Sequence, residues 1–164
     1  MDVLVNGIGT IGTTVAACLL KHRDLLGIDD VYVNKNQPEP WLAEDLFRLQ
    51  ALGGVLCTTA DEPGFIPFAS VADTVGFVFD CTNGQATNNR ARYDDMEQLV
   101  GANAQGGEAD FGVDCVPSIN PDAARGQRFV RLGSCNTHAC AAILQCFAGT
   151  DLEPLAHADF VVVR

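Results

Sequence analysis

A chain of 164 residues with 48% hydrophobic content has room for one ordinary domain with its own core. Its formal charge of -11 and isoelectric point near 4.4 exclude nucleic acid and an anionic membrane surface as expected partners, because phosphate binding needs clustered Lys and Arg. The longest apolar runs are interrupted by charge, Gly or Asn within about ten residues, so no membrane span is expected.

Lys21 and Lys35 are the only lysines, and Asp far outnumbers Glu. That texture points to high-salt adaptation, since an acidic surface keeps a protein soluble when salt screens charge repulsion; an acidic protein of an ordinary cytoplasm has the same composition. Seven cysteines without regular spacing, and no expected signal peptide, suit a reducing cytoplasm better than a disulfide framework. No C-x-x-C pair occurs and His22, His138 and His157 are scattered, so no metal is expected.

In chain order, Val3 to Val5 is a short β-prone run that leads straight into Asn6, Gly7, Ile8, Gly9, Thr10, Ile11 and Gly12. From Ile11 to about His22 the apolar residues recur at helical spacing, with Lys21 and Arg23 near the end that favours cations. Val31 to Val33 is a second strand ending at Asn34 and Lys35, before Gln37 and Pro38 open a loop. Trp41 to about Leu52 reads as a helix, and Gly53 to Ser70 as a Gly-, Pro- and Thr-rich stretch whose strands are short or irregular. Val75 to Phe79 is a buried strand closed by Asp80, followed by a helix over Arg90 to Val100. A loop at Gln105 to Glu108, an apolar stretch from Val113 to Ile119, a turn at Asn120 and Pro121 and a strand over Phe129 to Leu132 come next. Cys135 to Phe147 is helical in pattern and Ala158 to Val163 strand-like. Such alternation predicts an α/β fold, a doubly wound and mostly parallel sheet.

Gly7, Gly9 and Gly12 have the G-x-G-x-x-G spacing, placed after the first strand and at the start of the first helix. In a Rossmann-type fold the first glycine makes the tight turn, the second admits a pyrophosphate and the third lets helix and strand pack closely. The alternative is a turn that only joins strand to helix. An acid at the end of the second strand would hold a ribose 2'-hydroxyl and repel a 2'-phosphate. Asn34, Lys35 and Asn36 stand there instead, so the turn tolerates or prefers the phosphorylated cofactor unless Lys35 is merely a solvated lysine.

Ser134, Cys135, Asn136 and Thr137 lie between a strand and a helix, where the helix dipole favours a thiolate. Such a thiolate attacks an aldehyde, the hemithioacetal passes a hydride to nicotinamide, and phosphate or water splits the thioester. A buried cysteine beside a helix cap supplied by Ser134 is the plainer alternative.

These segments together resemble the archaeal type of glyceraldehyde-3-phosphate dehydrogenase over residues 1 to about 147. Val5 to Gly12, VNGIGTIG, is similar to the family's VNGYGTIG; Asp80 to Thr82 is similar to its D-A-T-P segment beside the nicotinamide; Gln105 to Glu108 matches QGGE and Ser134 to Thr137 matches SCNT. Asn120 fits an asparagine between the last two. The resemblance implies phosphorylating aldehyde oxidation with NADP or NAD, with Cys135 as nucleophile. It implies cofactor contacts from Gly7, Gly9, Thr10, Ile11, Gly12, Asn34, Lys35, Thr82, Gln105 and Gly106. Asn136, Thr137 and His138 would surround an aldehyde phosphate and inorganic phosphate.

It further implies a dinucleotide-binding domain over 1-134 and, over 135-164, the first helix and strand of a truncated catalytic domain. A fragment or split half, working as a homo-oligomer or with a complementary chain, is expected on this ground. Asn83 in place of the family's proline and His138 in place of a threonine are departures, and the family's base histidine lies outside the matched region. A non-catalytic binding module derived from the family is the second expectation, and a related cysteine dehydrogenase for another aldehyde, such as aspartate semialdehyde, a third. If the acidic surface is a salt adaptation, the urea midpoint rises as KCl increases from dilute to molar concentration; full stability in dilute buffer would leave only the ordinary acidic protein.

Overall fold

The computed structural model describes residues 1–36, 42–108, 110–149, 152 and 154–161. Five strands account for the half of the chain that carries the glycine motif: β1 (Asp2–Asn6), β2 (Val31–Asn34), β3 (Val55–Thr58), β4 (Ile66–Pro67) and β5 (Val75–Asp80). β6 (Gly101–Gln105), β7 (Val113–Cys115) and β8 (Phe129–Leu132) complete a sheet of order β4-β3-β2-β1-β5-β6-β8-β7. Every pair is parallel. The inner six strands follow the 3-2-1-4-5-6 order of a dinucleotide fold, and the strand order reverses between β1 and β5.

The helices are α1 (Thr10–Leu26), α2 (Ala43–Ala51), α3 (Ala86–Asp94) and α4 (Cys135–Ala148). Alternate side chains of β1 divide between the two faces of the sheet. Val3 and Val5 pack with Ala16, Leu19 and Leu20 of α1 and Leu46 and Leu49 of α2, while Leu4 packs with Ala86 and Tyr93 of α3. Burial on both faces is what makes the strands continuous apolar runs, and it makes the fold doubly wound. On the α3 face Tyr93, Phe111 and Phe129 form an edge-to-face chain, with ring centroids 6.4 and 5.7 Å apart.

Several elements depart from the sequence expectation. Strand β6, Gly-Ala-Asn-Ala-Gln, was not anticipated, because its residues have low strand propensity. Smallness is what its central position demands: a Cβ on Gly101 would lie 2.9 Å from the Phe77 ring. α3 starts earlier than expected and stops at Asp94, where the Arg128 guanidinium donates to the carbonyls of Tyr93, Asp94 and Met96 at 3.3, 3.4 and 3.3 Å. Tyr93 and Asp94 lie in the last turn, where a helix leaves its carbonyls without α-helical partners.

The apolar stretch from Val113 is strand only to Cys115. Asn120 then closes a turn by accepting from the Val116 N–H at 2.6 Å and donating to the Asp114 carbonyl at 3.1 Å. Among the described residues of the expected final strand, 158–161, no strand forms, for no neighbouring strand pairs with it. Residues 162–164 lie outside the described residues, as do Gln37, Pro38 and Trp41.

Candidate functional site

Because all eight strands are parallel, their carboxyl ends share one edge of the sheet, and the residues singled out in the sequence fall on that edge. The glycine turn follows β1, Asn34 and Lys35 end β2, Thr82 follows β5, Gln105 and Gly106 end β6, and Cys135 follows β8. β1 and β8 are three strand spacings apart, about 14 Å, so the edge offers an elongated site.

Each glycine of the motif has its own reason. Gly7 adopts φ +91°, a conformation that L side chains rarely take, and a Cβ there would be 2.8 Å from the Thr82 methyl. On Gly12 a Cβ would be 1.9 Å from the Gly7 carbonyl oxygen, so this glycine is required for α1 to sit against β1. Nothing lies within 4 Å of a Cβ on Gly9, which opens α1 with extended backbone. No side chain caps the α1 N-terminus and no acid occupies its first turn. The amides of Thr10, Ile11 and Gly12 therefore present the positive end of a 17-residue helix to open space, a setting suited to a phosphate.

Between the turn and the core lies a polar row that the sequence analysis did not assemble. Asn34, Asn6 and Asp80 are side-by-side register partners at the ends of β2, β1 and β5, and all three are buried. Asn34 donates to the Asn6 carbonyl oxygen at 2.6 Å, and Asn6 donates to the Tyr93 hydroxyl and, at 3.4 Å, to Asp80. Tyr93 passes its own hydrogen to Asp80 Oδ2, which also accepts from Asn89 at 2.9 Å. Asp80 Oδ1 accepts from the Thr82 amide at 2.9 Å and from the Thr82 hydroxyl. Burial, and then the Asp80 charge, push the Tyr93 phenol well above its usual range, so it stays a donor. The legible signal was that three apolar strands each end in a polar residue.

Asn34 is thus an internal residue. Its amide also reaches Asn36 at 3.1 Å, its backbone carbonyl accepts from Gly7, and the Lys35 amide donates to the Cys57 carbonyl at 3.2 Å. On the other flank Gly106 bonds Leu132 through its amide at 3.2 Å, which brings the Gln105–Gly106 turn beside the segment leading to Cys135. Glu108 accepts from the Thr87 amide and hydroxyl, both at 3.4 Å.

Cys135 is exposed at the start of α4, and Ser134 caps that helix by accepting from the Thr137 amide at 3.3 Å. The Cys135 thiol lies 3.9 Å from the Asn136 side-chain oxygen, while Thr137 shares a hydrogen bond with Ser134. The imidazole of His138 makes no hydrogen bond to Cys135 among the described residues, and His157 pairs with Asp159. Only Ala141 of α4 is buried.

A doubly wound parallel sheet whose first strand, glycine turn and helix meet the spatial demands of the dinucleotide motif defines a Rossmann-type domain. Comparison with known proteins gives two archaeal relatives. The glyceraldehyde-3-phosphate dehydrogenase of Thermococcus onnurineus (strain NA1) is 32% identical over 146 residues, 84% of this chain and 42% of that protein. That of Methanococcoides burtonii is 33% identical over 156 residues, 88% of this chain and 44% of that protein. The chain thus spans less than half the length of either relative, and no protein-family model matches it.

Gly12→Ala is expected to cost about 3 kcal/mol in urea unfolding, because backbone meets the added methyl and no rotamer relieves it, whereas Gly9→Ala costs below about 1 kcal/mol. Thiol alkylation should separate the cysteines. Burial pushes Cys57 up to about 12, and burial with a smaller contribution from the Asp80 charge pushes Cys81 up to about 12. Since only the thiolate attacks, iodoacetamide at about pH 8 should label exposed Cys18, Cys135 and Cys146 and spare Cys57 and Cys81 until the chain unfolds, as peptide mapping would report.

Proposed function

We propose that this chain is the dinucleotide-binding half of an oxidoreductase of the glyceraldehyde-3-phosphate dehydrogenase family, and that it binds NADP or NAD. The observation that carries the reading is the open approach over Gly9 to an uncapped helix N-terminus, within a turn whose other two glycines are packed against backbone. The identity of 32% and 33% to the two archaeal relatives over most of this chain supports it. Residues 1–134 form the cofactor domain, and 135–164 begin a catalytic domain completed by further polypeptide or a complementary chain. That α4 buries only Ala141 and leaves Ile143 and Phe147 exposed agrees with this division.

In this reading Thr10, Ile11 and Gly12 hold the pyrophosphate through their amides, and Thr82, Gln105 and Gly106 line the nicotinamide side. Among the described residues at the end of β2 no carboxylate opposes a 2'-phosphate, for Asn34 is neutral and turned into the core. NADP is therefore bound at least as well as NAD. When bound, the nicotinamide accepts a hydride. Cys135 supplies the nucleophile: its sulfur bonds to the aldehyde carbon, and after oxidation the thioester is released by phosphate. Asn136, Thr137 and His138, in the first turn of α4, are the residues we assign to an anionic phosphate, which the amides at a helix start favour. The seven free thiols suit a reducing compartment.

Calorimetric titration with NADP and NAD tests the reading. Micromolar binding of both is expected, weakened about tenfold or more by Gly9→Ala at unchanged stability. Mixing the chain with the region of an archaeal relative beyond the matched segment should then restore phosphate-dependent aldehyde oxidation that Cys135→Ser abolishes. Absence of binding by either dinucleotide would leave the glycine turn as a structural connection only.

A further inference from the structure

We propose that Asp80 is a positioning residue that fixes the hydrogen-bond polarity of Thr82, so that Thr82 meets the nicotinamide-side half of a bound dinucleotide only as an acceptor. The inference rests on the dinucleotide-binding reading above and deepens it into a rule about which ligands the site accepts.

Asp80 is fully buried, and its side chain meets donors on every side. The amide and hydroxyl of Thr82 converge on Oδ1 at 2.9 and 2.5 Å. Asn89, Tyr93 and Asn6 converge on Oδ2 at 2.9, 2.5 and 3.4 Å. A carboxylate can only accept, so the hydroxyl hydrogen of Thr82 lies on Asp80. The Asn89 amide also donates to Thr82 Oγ1, at 3.2 Å. One hydrogen and one lone pair of that hydroxyl are thereby used inside the protein, and a single lone pair is left for a ligand.

Rotation does not release the hydrogen easily. The Thr82 methyl sits where a Cβ on Gly7 would come within 2.8 Å, and turning the side chain would strip a buried carboxylate of a charge-assisted bond. The Thr82 backbone amide is committed as well, so neither of its donors is left for a phosphate oxygen.

The topology decides which part of a dinucleotide faces Thr82. β2, the strand that serves the adenosine half, lies on one side of β1, and β5, which carries Thr82, lies on the other. The free lone pair thus faces the nicotinamide half, where the carboxamide offers an N–H. A carboxylate there would bring no donor and a negative charge toward Asp80. The site should therefore separate nicotinamide adenine dinucleotides from their nicotinic acid counterparts, which differ only in that group.

The experiment measures, by calorimetry on the full chain, the affinity of NADP and of nicotinic acid adenine dinucleotide phosphate for wild type, Thr82→Val, Thr82→Ser and Asp80→Asn. Wild type should favour the amide about tenfold or more. Thr82→Val keeps the shape and the Asp80 charge but loses the oxygen. It should weaken NADP about tenfold and leave the acid within about twofold, and Thr82→Ser should restore the preference. Asp80→Asn, whose side-chain amide can donate to Thr82 and turn its hydrogen outward, should bring the two ligands within about threefold.

Equal wild-type affinity for the two ligands, or an equal loss of both in Thr82→Val, overturns the inference while leaving dinucleotide binding intact. A preference that survives Thr82→Val undiminished also overturns it, since charge alone would then be the cause. Failure of wild type to bind NADP and NAD removes the reading beneath it. Should Asp80→Asn not fold, the Thr82→Val and Thr82→Ser pair decides the outcome.

Discussion

A carboxylate with no solvent contact holds together the ends of β2, β1 and β5, the part of the sheet edge that carries the glycine turn and Thr82. Burying a charge is costly unless hydrogen bonds replace the lost water, and Asp80 obtains that replacement from Asn6, Thr82, Asn89 and Tyr93. The same bonds tie the end of β1, the loop after β5 and the middle of α3 to one point, and Asn34 extends the row to β2. A hydrophobic replacement could fill the space, but it would not dictate where the Thr82 loop lies. Here the polar core serves geometry more than stability.

From that anchor the glycine turn follows. Asp80 fixes Thr82, Thr82 lies against Gly7, Gly7 turns the chain in a left-handed conformation, and its carbonyl leaves no room for a side chain at Gly12. Close packing on one side of the turn is matched by vacancy on the other, at Gly9. Three glycines that look equivalent in the sequence thus divide into two that build the turn and one that leaves an approach open. The parallel sheet does the rest, since it places the ends of β1, β2, β5, β6 and β8 on a single edge without any loop having to reach across.

The doubly wound fold was legible because β1, β2, β5 and β8 are apolar runs of strand length, and because the glycine spacing falls at a strand-to-helix boundary. What escaped was decided by neighbours rather than by local propensity. β6 is a strand by its pairing between β5 and β8, where Phe77 leaves no room for a side chain at Gly101, and α3 stops at Asp94, where an arginine more than thirty residues away meets its carbonyls. Tyr93 reads in the sequence as one apolar helix position among several. Only the folded chain shows its hydroxyl bridging Asn6 and Asp80. Asn34 likewise sits where a cofactor-sensing residue belongs, yet its amide is spent within the core, a distinction that spacing along the chain does not carry.

The two ends of the candidate site are unequally supported. Behind Gly7 and Thr82 the side chains of Asn6, Asn34, Asp80 and Tyr93 are buried and joined by hydrogen bonds. At Cys135 only the first turn of α4 is fixed, by the Ser134 cap, and beyond it Ala141 alone is buried. A 14-residue helix as apolar as α4 draws its stability from packing, and Ile143 and Phe147 remain at 47% and 87% exposure. Covalent chemistry at a carbonyl needs its nucleophile held within fractions of an ångström, which an unpacked helix does not provide. Under the proposed function, cofactor binding would rest on residues already in place, whereas catalysis by Cys135 would depend on a surface that covers Ile143 and Phe147, and this asymmetry makes binding and turnover separable in that reading.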